Sequence, residues 1–187
     1  MRSFDDILFY DEIFDLSLFK QIGNEVADIP KWQIQCSSTQ DGSWFWKFIL
    51  DDNKFITETC FNQIKELIGD NFTINTVYIN AQSSLQSGDP HIDSEVEDEY
   101  TFMIYINQDW DITWGGHTVF FSRYWDNLDK TYNNFFTHTD RIHTVSFLPV
   151  PNLGLFFPSN IVHFAEGPSK KMSQLRLTLA YKLKKII

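Results

Sequence analysis

Hydrophobic residues recur at helical spacing in two stretches of the first third of the chain. Residues 15–27 predict an amphipathic helix with Asp15 as its N-cap, and its apolar side consists of Leu16, Phe19, Ile22 and Val26. A second helix is predicted over about residues 58–68, where Gly69 can end it. Between the two, the aromatic run over residues 44–50 predicts a strand.

From residue 72 onward, short apolar or alternating runs are separated by turn-forming Gly, Pro and Asn. These runs predict strands over residues 72–80, 91–94, 101–107, 117–122, 141–148, 153–157, 161–165 and 174–183. Such a series after a helical lead-in predicts a mainly β protein with supporting α-helices, folded as a double-stranded β-helix or jelly roll. We expect one domain over residues 1–187, with 1–71 as a helical and mixed support and 72–187 as the β core.

Composition and charge narrow the class of protein. Hydrophobic residues make up 43% of the 187 residues, which is enough to bury a sizeable core. The formal net charge of −10 argues against general nucleic-acid binding, which needs a basic face. We interpret the lysines near the C-terminus as solvated surface residues, although they would also suit a local basic patch; they are Lys170, Lys171, Lys182, Lys184 and Lys185.

The N-terminal residues and the cysteines bear on the compartment. Asp5 and Asp6 lie where a signal peptide would need an apolar region, and no apolar run reaches the ~20 residues of a membrane span. Cys36 and Cys60 form no CxxC motif. We therefore expect a cytoplasmic protein without membrane association and with two reduced thiols, a Cys36–Cys60 disulfide being the alternative. The sequence carries no signal for an oligomeric state.

His91-Ile92-Asp93 is the first motif with chemical content. On a strand, the side chains of His91 and Asp93 would point to the same face. With a third ligand on another strand they would form a facial triad, which suits Fe(II) because positions stay open for O2 and a cosubstrate. One H-x-D motif is readily expected by chance in a chain with this many acidic residues, so the motif alone is weak.

A second H-x-D motif, His138-Thr139-Asp140, competes with the first. It ends a polar stretch over residues 122–140 and leaves too little chain before His163 for the intervening strands. We interpret His138 and Asp140 as loop residues, and the stretch as either a substrate lid or a surface insertion.

His163 and Arg176 supply the remaining elements. A single histidine on an apolar strand is usually a packed core residue, but the His91/Asp93 pair favours His163 as the third metal ligand. Strand alternation predicts that Arg176 and Thr178 face the same side. A guanidinium inside a barrel needs an anion, and the distal carboxylate of 2-oxoglutarate matches its fork. The alternative is an ion pair with one of the 25 acidic side chains.

Taken together, these segments resemble the 2-oxoglutarate/Fe(II)-dependent dioxygenase superfamily, and within it the prolyl hydroxylase-like branch. The resemblance covers roughly residues 73–183 and is carried by His91-Ile-Asp93, residues 101–110, 115–121 and 156–159, His163 and Arg176-Leu-Thr-Leu. It implies that His91, Asp93 and His163 bind Fe(II) and that Arg176 binds the C5 carboxylate of 2-oxoglutarate.

The resemblance also implies a reaction in which O2 and 2-oxoglutarate are consumed and a peptidyl proline or a small molecule is hydroxylated. Tyr105 matches a tyrosine that hydrogen-bonds the same carboxylate in prolyl hydroxylases, and Thr178 would add a hydroxyl donor. Tyr78 is a weaker match to a second tyrosine of the pocket, and packing is an equal alternative for it. Collagen-type prolyl hydroxylases usually carry Lys at the position of Arg176, so this chain resembles the arginine-bearing members.

Two other functions fit parts of the pattern. A cupin-like metalloenzyme holding Zn or Mn without 2-oxoglutarate explains the triad but leaves Arg176 without a role. A jelly-roll binding module would recognise carbohydrate or peptide through Trp110, Trp114 and Trp125. The acidic run over residues 95–99 is typical of a solvated turn, although it would also favour a cationic substrate.

Overall fold

The computed structural model describes residues 4–27, 29, 31–36, 44–84, 86–124 and 143–186. The strands within these ranges are β1 (Leu8–Tyr10), β2 (Gln33–Cys36), β3 (Trp44–Ile49), β4 (Phe72–Gln82), β5 (Glu99–Tyr105), β6 (Thr118–Tyr124), β7 (Thr144–Phe147), β8 (Gly154–Pro158), β9 (Ile161–Ala165) and β10 (Arg176–Lys185). The helices are α1 (Leu16–Ala27) and α2 (Phe61–Ile68), and a π-helical turn (Phe55–Cys60) leads into α2. The chain is therefore mainly β, as the sequence predicts.

The strands form two antiparallel sheets. The larger has the order β1-β8-β5-β10-β4-β3-β2, and the smaller has the order β7-β6-β9. β10 pairs with β4 on one side and β5 on the other, so it occupies the centre of the large sheet. Two antiparallel sheets with this crossing order form a jelly roll, which confirms the predicted architecture.

The two faces of the large sheet pack against different partners. Val77, Ile79 and Leu179 pack in one core with residues of α1 and α2, such as Ile22 and Ile64. Neighbouring residues on the opposite face belong to a second core shared with the small sheet, which contains Tyr78, Met103, Tyr105, Phe120, Phe157 and Ala180. Because side chains of a strand alternate, each central strand separates a helix-covered core from the space between the sheets.

α1 begins at its predicted cap and α2 ends at its predicted glycine, whereas α2 begins at Phe61, after the π-helical turn and later than the predicted residue 58. The Leu18 N–H donates to Asp15 Oδ1 at 2.9 Å, so Asp15 caps α1. α2 ends at Gly69, whose φ of 96° favours glycine, and the Gly69 N–H donates to the Lys65 carbonyl. Among the described residues, no helix is long and apolar enough to cross a membrane.

Within the described part of the first 71 residues, three strands are present. β1 adds to one edge of the large sheet beside β8, and β2 and β3 extend the opposite edge beside β4. The sequence predicts β3 but not β1 or β2, which are only three and four residues long. Short edge strands carry too little alternation to be distinguished from loops.

The predicted strand over residues 91–94 is wrong. His91 makes an isolated bridge to His163, and the residues beyond it are not in a strand. The N–H groups of Asp93 and Ser94 both donate to the Ser159 carbonyl, at 2.8 and 3.1 Å. In a regular strand ladder, two consecutive N–H groups do not share one carbonyl acceptor. The chain therefore bends at this point, and no strand continues.

Cys60 is a free and fully buried thiol. Burial, with a smaller effect of Glu25, raises the pKa of this thiol to about 12. Since the thiolate is the reactive form, Cys60 is expected to be inert in the native protein. The side chain of Cys36 lies outside the described residues.

In a Cys36→Ser variant, where Cys60 is the remaining cysteine, we predict almost no reaction with Ellman's reagent under native conditions. Guanidinium chloride should release one equivalent of reactive thiol, because unfolding removes the burial that raises the pKa. Rapid native labelling would contradict the burial of Cys60.

Candidate active site

A cavity of about 180 Å³ lies between the two sheets. It is bordered by residues of β3, β4, β5 and β10 from the large sheet and of β6 and β9 from the small sheet. The predicted site residues that line it are Tyr78, His91, Asp93, His163, Arg176 and Thr178. Side chains from four separate segments of the sequence therefore meet in one space.

His91, Asp93 and His163 form the polar end of this cavity. One ligand atom from each lies within 4.8 Å of the others. The Nε2 atom of His91 is 3.8 Å from Asp93 Oδ1, and that of His163 is 3.6 Å from Asp93 Oδ2. His91 and His163 also exchange two backbone hydrogen bonds of 2.9 Å, which fixes the two histidines side by side.

The tautomers of both histidines follow from their backbone partners. His91 Nδ1 lies 2.8 Å from the Asp89 carbonyl oxygen, and His163 Nδ1 lies 2.9 Å from the Ile161 carbonyl oxygen. A carbonyl can only accept, so each Nδ1 carries the proton and each Nε2 directs a lone pair toward Asp93. A metal-binding histidine typically donates its other ring N–H to a carbonyl in this way.

The protonation states also suit a metal ion. Burial lowers the pKa of His163 to about 4, so its imidazole is neutral at pH 7. Burial alone would raise the pKa of Asp93, but Lys182 and the two histidines outweigh it and hold that pKa well below its usual range. Two imidazole nitrogens and one carboxylate are a donor set that fits Fe(II), with sites left for other ligands.

Thr101 and Lys182 support Asp93. The Thr101 hydroxyl donates to Asp93 Oδ2 at 2.6 Å, and Lys182 forms an ion pair with the same oxygen. Lys182 Nζ also donates to Thr101 Oγ1 at 3.0 Å. Sequence reasoning assigned no role to Thr101.

The interpretation of Lys182 as a solvated surface lysine is wrong. Its side chain is 19% exposed and lines the cavity. The alternation that places Arg176, Thr178 and Ala180 on the inner face of β10 continues for two more residues to Lys182. Lys184 and Lys185, beyond it, are exposed as predicted.

Arg176 is 1% exposed and is held entirely by neutral groups. Its Nε donates to the Gly116 carbonyl at 2.7 Å, Nη1 to Gln82 Oε1 at 2.9 Å and Nη2 to Thr118 Oγ1 at 2.8 Å. In the part of the chain that the structure describes, it forms no ion pair with a carboxylate. Burial lowers the pKa of Arg176, but a guanidinium remains protonated in proteins.

The structure requires glycine at Gly116, the second residue of the Gly115-Gly116 pair. Its φ is 76°, and a Cβ there would lie 3.2 Å from Arg176 Cδ and 3.1 Å from the Trp110 ring. Glycine therefore provides both the backbone conformation and the close approach that its hydrogen bond to Arg176 requires.

The two predicted tyrosines occupy different places. Tyr78 lines the cavity, and Lys47 Nζ lies 3.5 Å from the centroid of its ring. Tyr105 is fully buried behind Arg176, whose guanidinium carbon is 5.3 Å from the ring centroid. The Tyr105 hydroxyl donates to Thr118 Oγ1 at 2.7 Å, so it orients the same threonine that accepts from Arg176.

Several sequence interpretations fall on residues outside the described ranges. The second H-x-D motif, His138 and Asp140, is among them, as are most of the 122–140 stretch and Trp125. The other two tryptophans suggested for a binding module, Trp110 and Trp114, pack edge to face at 5.5 Å, and the Trp110 indole donates to the Gly115 carbonyl.

No protein-family model matches this sequence, and no curated protein matches it. Solved structures match over nearly the whole chain. The non-heme alpha-ketoglutarate-dependent epimerase SnoN from nogalamycin biosynthesis is 12% identical, with a TM-score of 0.69 over 96% of this chain and 78% of that one. A 2OG-Fe(II) oxygenase family oxidoreductase from Burkholderia pseudomallei is 12% identical, with a TM-score of 0.66 over 97% of this chain and 86% of that one.

The fold is that of the 2-oxoglutarate-Fe(II) oxygenases. A third match is a prolyl hydroxylase from Trichoplax adhaerens, crystallised with a hypoxia inducible factor peptide fragment, at 12% identity and a TM-score of 0.67. It covers 97% of this chain and 84% of that one. The fold predicted from the motifs is thus confirmed. Within this oxygenase fold, the triad and Arg176 share one cavity.

We predict that the unaltered protein binds one Mn²⁺ or Fe²⁺ ion. Asp93→Ala or His163→Ala should weaken this affinity by roughly 100-fold or more. Losing a residue that only hydrogen-bonds a ligand typically costs about 10–100-fold in metal affinity, and losing a ligand itself should cost more. Isothermal titration calorimetry with Mn²⁺ measures both. His117→Ala is the control, since His117 pairs with Glu166 at 3.0 Å and is not a cavity-lining residue. Unchanged affinity in both ligand variants would refute the triad.

Proposed function

We propose that this protein is an Fe(II)- and 2-oxoglutarate-dependent dioxygenase that couples decarboxylation of 2-oxoglutarate to hydroxylation of a substrate. The observation that supports it most is Arg176, a buried cation without a carboxylate partner among the described residues, in the same cavity as the metal triad. A cupin-like metal site explains the triad but requires no such cation.

The metal would be held by His91, Asp93 and His163. Fe(II) at this site would supply the binding and activation of O2. The residues around it fix the donors: the Asp89 and Ile161 carbonyls set the histidine tautomers, and Thr101 orients the carboxylate.

Arg176 would bind the C5 carboxylate of 2-oxoglutarate. A buried guanidinium is stabilised when a carboxylate neutralises it, and its fork permits two parallel hydrogen bonds. Gly116, Gln82 and Thr118 hold the guanidinium in place before the cosubstrate arrives, which lowers the entropic cost of binding. Thr178, also on the cavity wall, would offer its hydroxyl to the same carboxylate, and Tyr105 would act through Thr118.

The apolar part of the cavity would protect the reaction. Met103, Phe157 and Ala180 line it alongside the polar groups. Such walls exclude water and limit side reactions of a reactive oxidant. His163 lies on β9 and Arg176 on β10, and backbone hydrogen bonds to His163 and Ser159 hold His91 and Asp93, so the separation of the triad from Arg176 is set by the fold.

Proteins that share the fold support the chemistry but divide on the substrate. SnoN was crystallised with Fe3+, alpha-ketoglutarate and nogalamycin RO, and the Trichoplax enzyme was crystallised with a peptide. Hydroxylation is the proposed outcome here, with a prolyl peptide or a small molecule as substrate. The same fold carries several chemistries, so the substrate has to be argued from this chain's own cavity.

We predict that the protein with Fe²⁺, ascorbate and 2-oxoglutarate forms succinate, slowly without a substrate and faster with one from a panel of peptides and metabolites. Succinate is quantified by mass spectrometry, with Asp93→Ala as the control. Metal binding without any 2-oxoglutarate turnover or binding would contradict the proposal and favour the cupin-like alternative.

A second prediction concerns the cosubstrate. Arg176→Met should weaken 2-oxoglutarate affinity by about 30-fold or more, since removing one partner of a buried charge pair costs at least ~2 kcal/mol. Calorimetry on the Mn²⁺-loaded protein measures the 2-oxoglutarate affinity, and Mn²⁺ affinity should change little. The matched control is Lys184→Met, an exposed cation on the same strand. Unaltered 2-oxoglutarate binding by Arg176→Met would refute the assigned role.

A further inference from the structure

Lys47 and Lys182 bring two ammonium groups to one part of the cavity. Both line it, Lys47 from β3 and Lys182 from β10. Lys47 Nζ lies 3.5 Å and Lys182 Nζ 5.8 Å from the centroid of the Tyr78 ring. An aromatic face attracts cations, so Tyr78 helps to hold both. Burial lowers the pKa of Lys47, and repulsion from the Lys182 ammonium lowers it further, against the opposing effect of Asp93 and Asp51.

The cavity is positive although the protein is acidic. Its charged lining residues are Arg176, Lys47 and Lys182 against the single carboxylate of Asp93, whereas the whole chain carries a formal charge of −10. Lys182 pairs with Asp93 Oδ2, the same oxygen that faces His163 across 3.6 Å. Asp93 would therefore be shared between Lys182 and a metal ion.

A charge balance based on the proposed function leaves the two lysines without an anion. A divalent ion, Asp93, Arg176 and the dianion 2-oxoglutarate together carry no net charge. Lys47 and Lys182 then remain as two positive charges in a partly enclosed space. Uncompensated charges in such a space are costly, so a further anionic group is expected there.

Asn80 provides an independent indication of a ligand. It lies on β4 opposite Lys47 on one side and Thr178 on the other, and it lines the cavity. Its Oδ1 atom is buried and has no hydrogen-bond partner among the described residues. Buried polar groups are nearly always paired, so this oxygen is expected to accept a hydrogen bond from a hydroxyl or N–H group of a bound molecule.

We propose that Lys47 and Lys182 bind an anionic group of the substrate, which is therefore a carboxylic acid or a phosphate ester and not an uncharged prolyl residue, and that Asn80 Oδ1 accepts a hydrogen bond from a hydroxyl or N–H group of the same molecule. The proposal rests on the proposed function and names its substrate class. The acidic run over residues 95–99 does not oppose it, because the cavity-lining residues include none of that run. A cationic substrate, which that run would favour, meets three like charges in this cavity.

The first test uses matched probes on the protein saturated with Mn²⁺ and 2-oxoglutarate. Benzoate and phenyl phosphate carry the two candidate anions, and benzamide is the uncharged counterpart of benzoate. Calorimetry should show at least one of the anions binding about tenfold or more tightly than benzamide, since hydrogen bonds to charged groups contribute roughly 1.5–3 kcal/mol. The affinity should fall as salt is raised. Comparison of benzoate with phenyl phosphate distinguishes a carboxylate site from a phosphate site.

The second test removes each ammonium while keeping the aliphatic chain. Lys47→Met and Lys182→Met should each reduce the anion affinity about tenfold or more, whereas Lys47→Arg should retain most of it. The exposed Lys184→Met is the matched control from the same strand. The 2-oxoglutarate affinity should stay within about twofold in Lys47→Met, in contrast to Arg176→Met. Thermal unfolding is recorded for each variant, and Lys47→Met carries the test if Lys182→Met has lost its fold.

Three results would overturn the inference. Benzamide binding as tightly as both anions, or no binding of either anion, would remove the preference for charge. Full anion affinity in both Met variants would exclude the lysines. An equal loss of 2-oxoglutarate and probe affinity in Lys47→Met would assign Lys47 to the cosubstrate. If the unaltered protein binds neither Mn²⁺ nor 2-oxoglutarate, the proposed function fails, yet lysine-dependent benzoate binding would still support the anion site.

Discussion

The Asp93 side chain is only 9% exposed, so the negative charge of its carboxylate has to be compensated inside the protein. Lys182 and Thr101 contact it on one side, and the imidazoles of His91 and His163 face it on the other. This compensation keeps the carboxylate ionised, which is the form that binds a metal ion. The backbone pairing of His91 with His163 and the hydrogen bond from Asp93 to Ser159 place the donors where they converge.

β10 connects this charge cluster to the rest of the molecule. On one face, Leu179 and Tyr181 pack in the helix-covered core, and the Tyr181 hydroxyl donates to the Ile56 carbonyl of the turn before α2. On the other face, Arg176, Thr178 and Lys182 line the cavity. The apolar face stabilises the strand, so the inner face can carry charged groups whose compensation comes from side chains and ligands.

The cationic side chains of the cavity are held in two different ways. Arg176 is fixed by three neutral acceptors and presents a guanidinium whose charge stays unpaired in the described structure. Lys182 is paired with a carboxylate that also belongs to the candidate metal triad, and Lys47 lies over the Tyr78 ring beside it. A rigid fork suits a fixed cosubstrate, whereas two flexible ammonium groups suit a substrate of less defined shape.

The sequence by itself was enough to predict the jelly roll, the two helices and the grouping of His91, Asp93 and His163 with Arg176, because hydrophobic periodicity and the spacing of motifs can be read along the chain. The inward orientation of Lys182 could also have been predicted, since the alternation of side chains along β10 extends to it. Tertiary structure alone decided which neutral groups bind Arg176 and which hydroxyl supports Asp93. The groups around Arg176 come from Gln82, Gly116 and Thr118, and the hydroxyl is that of Thr101. The pairing of strands from distant segments brings them there. The bend at His91–Asp93 and the short strands β1 and β2 depended on acceptors and partners that also lie far away in the sequence.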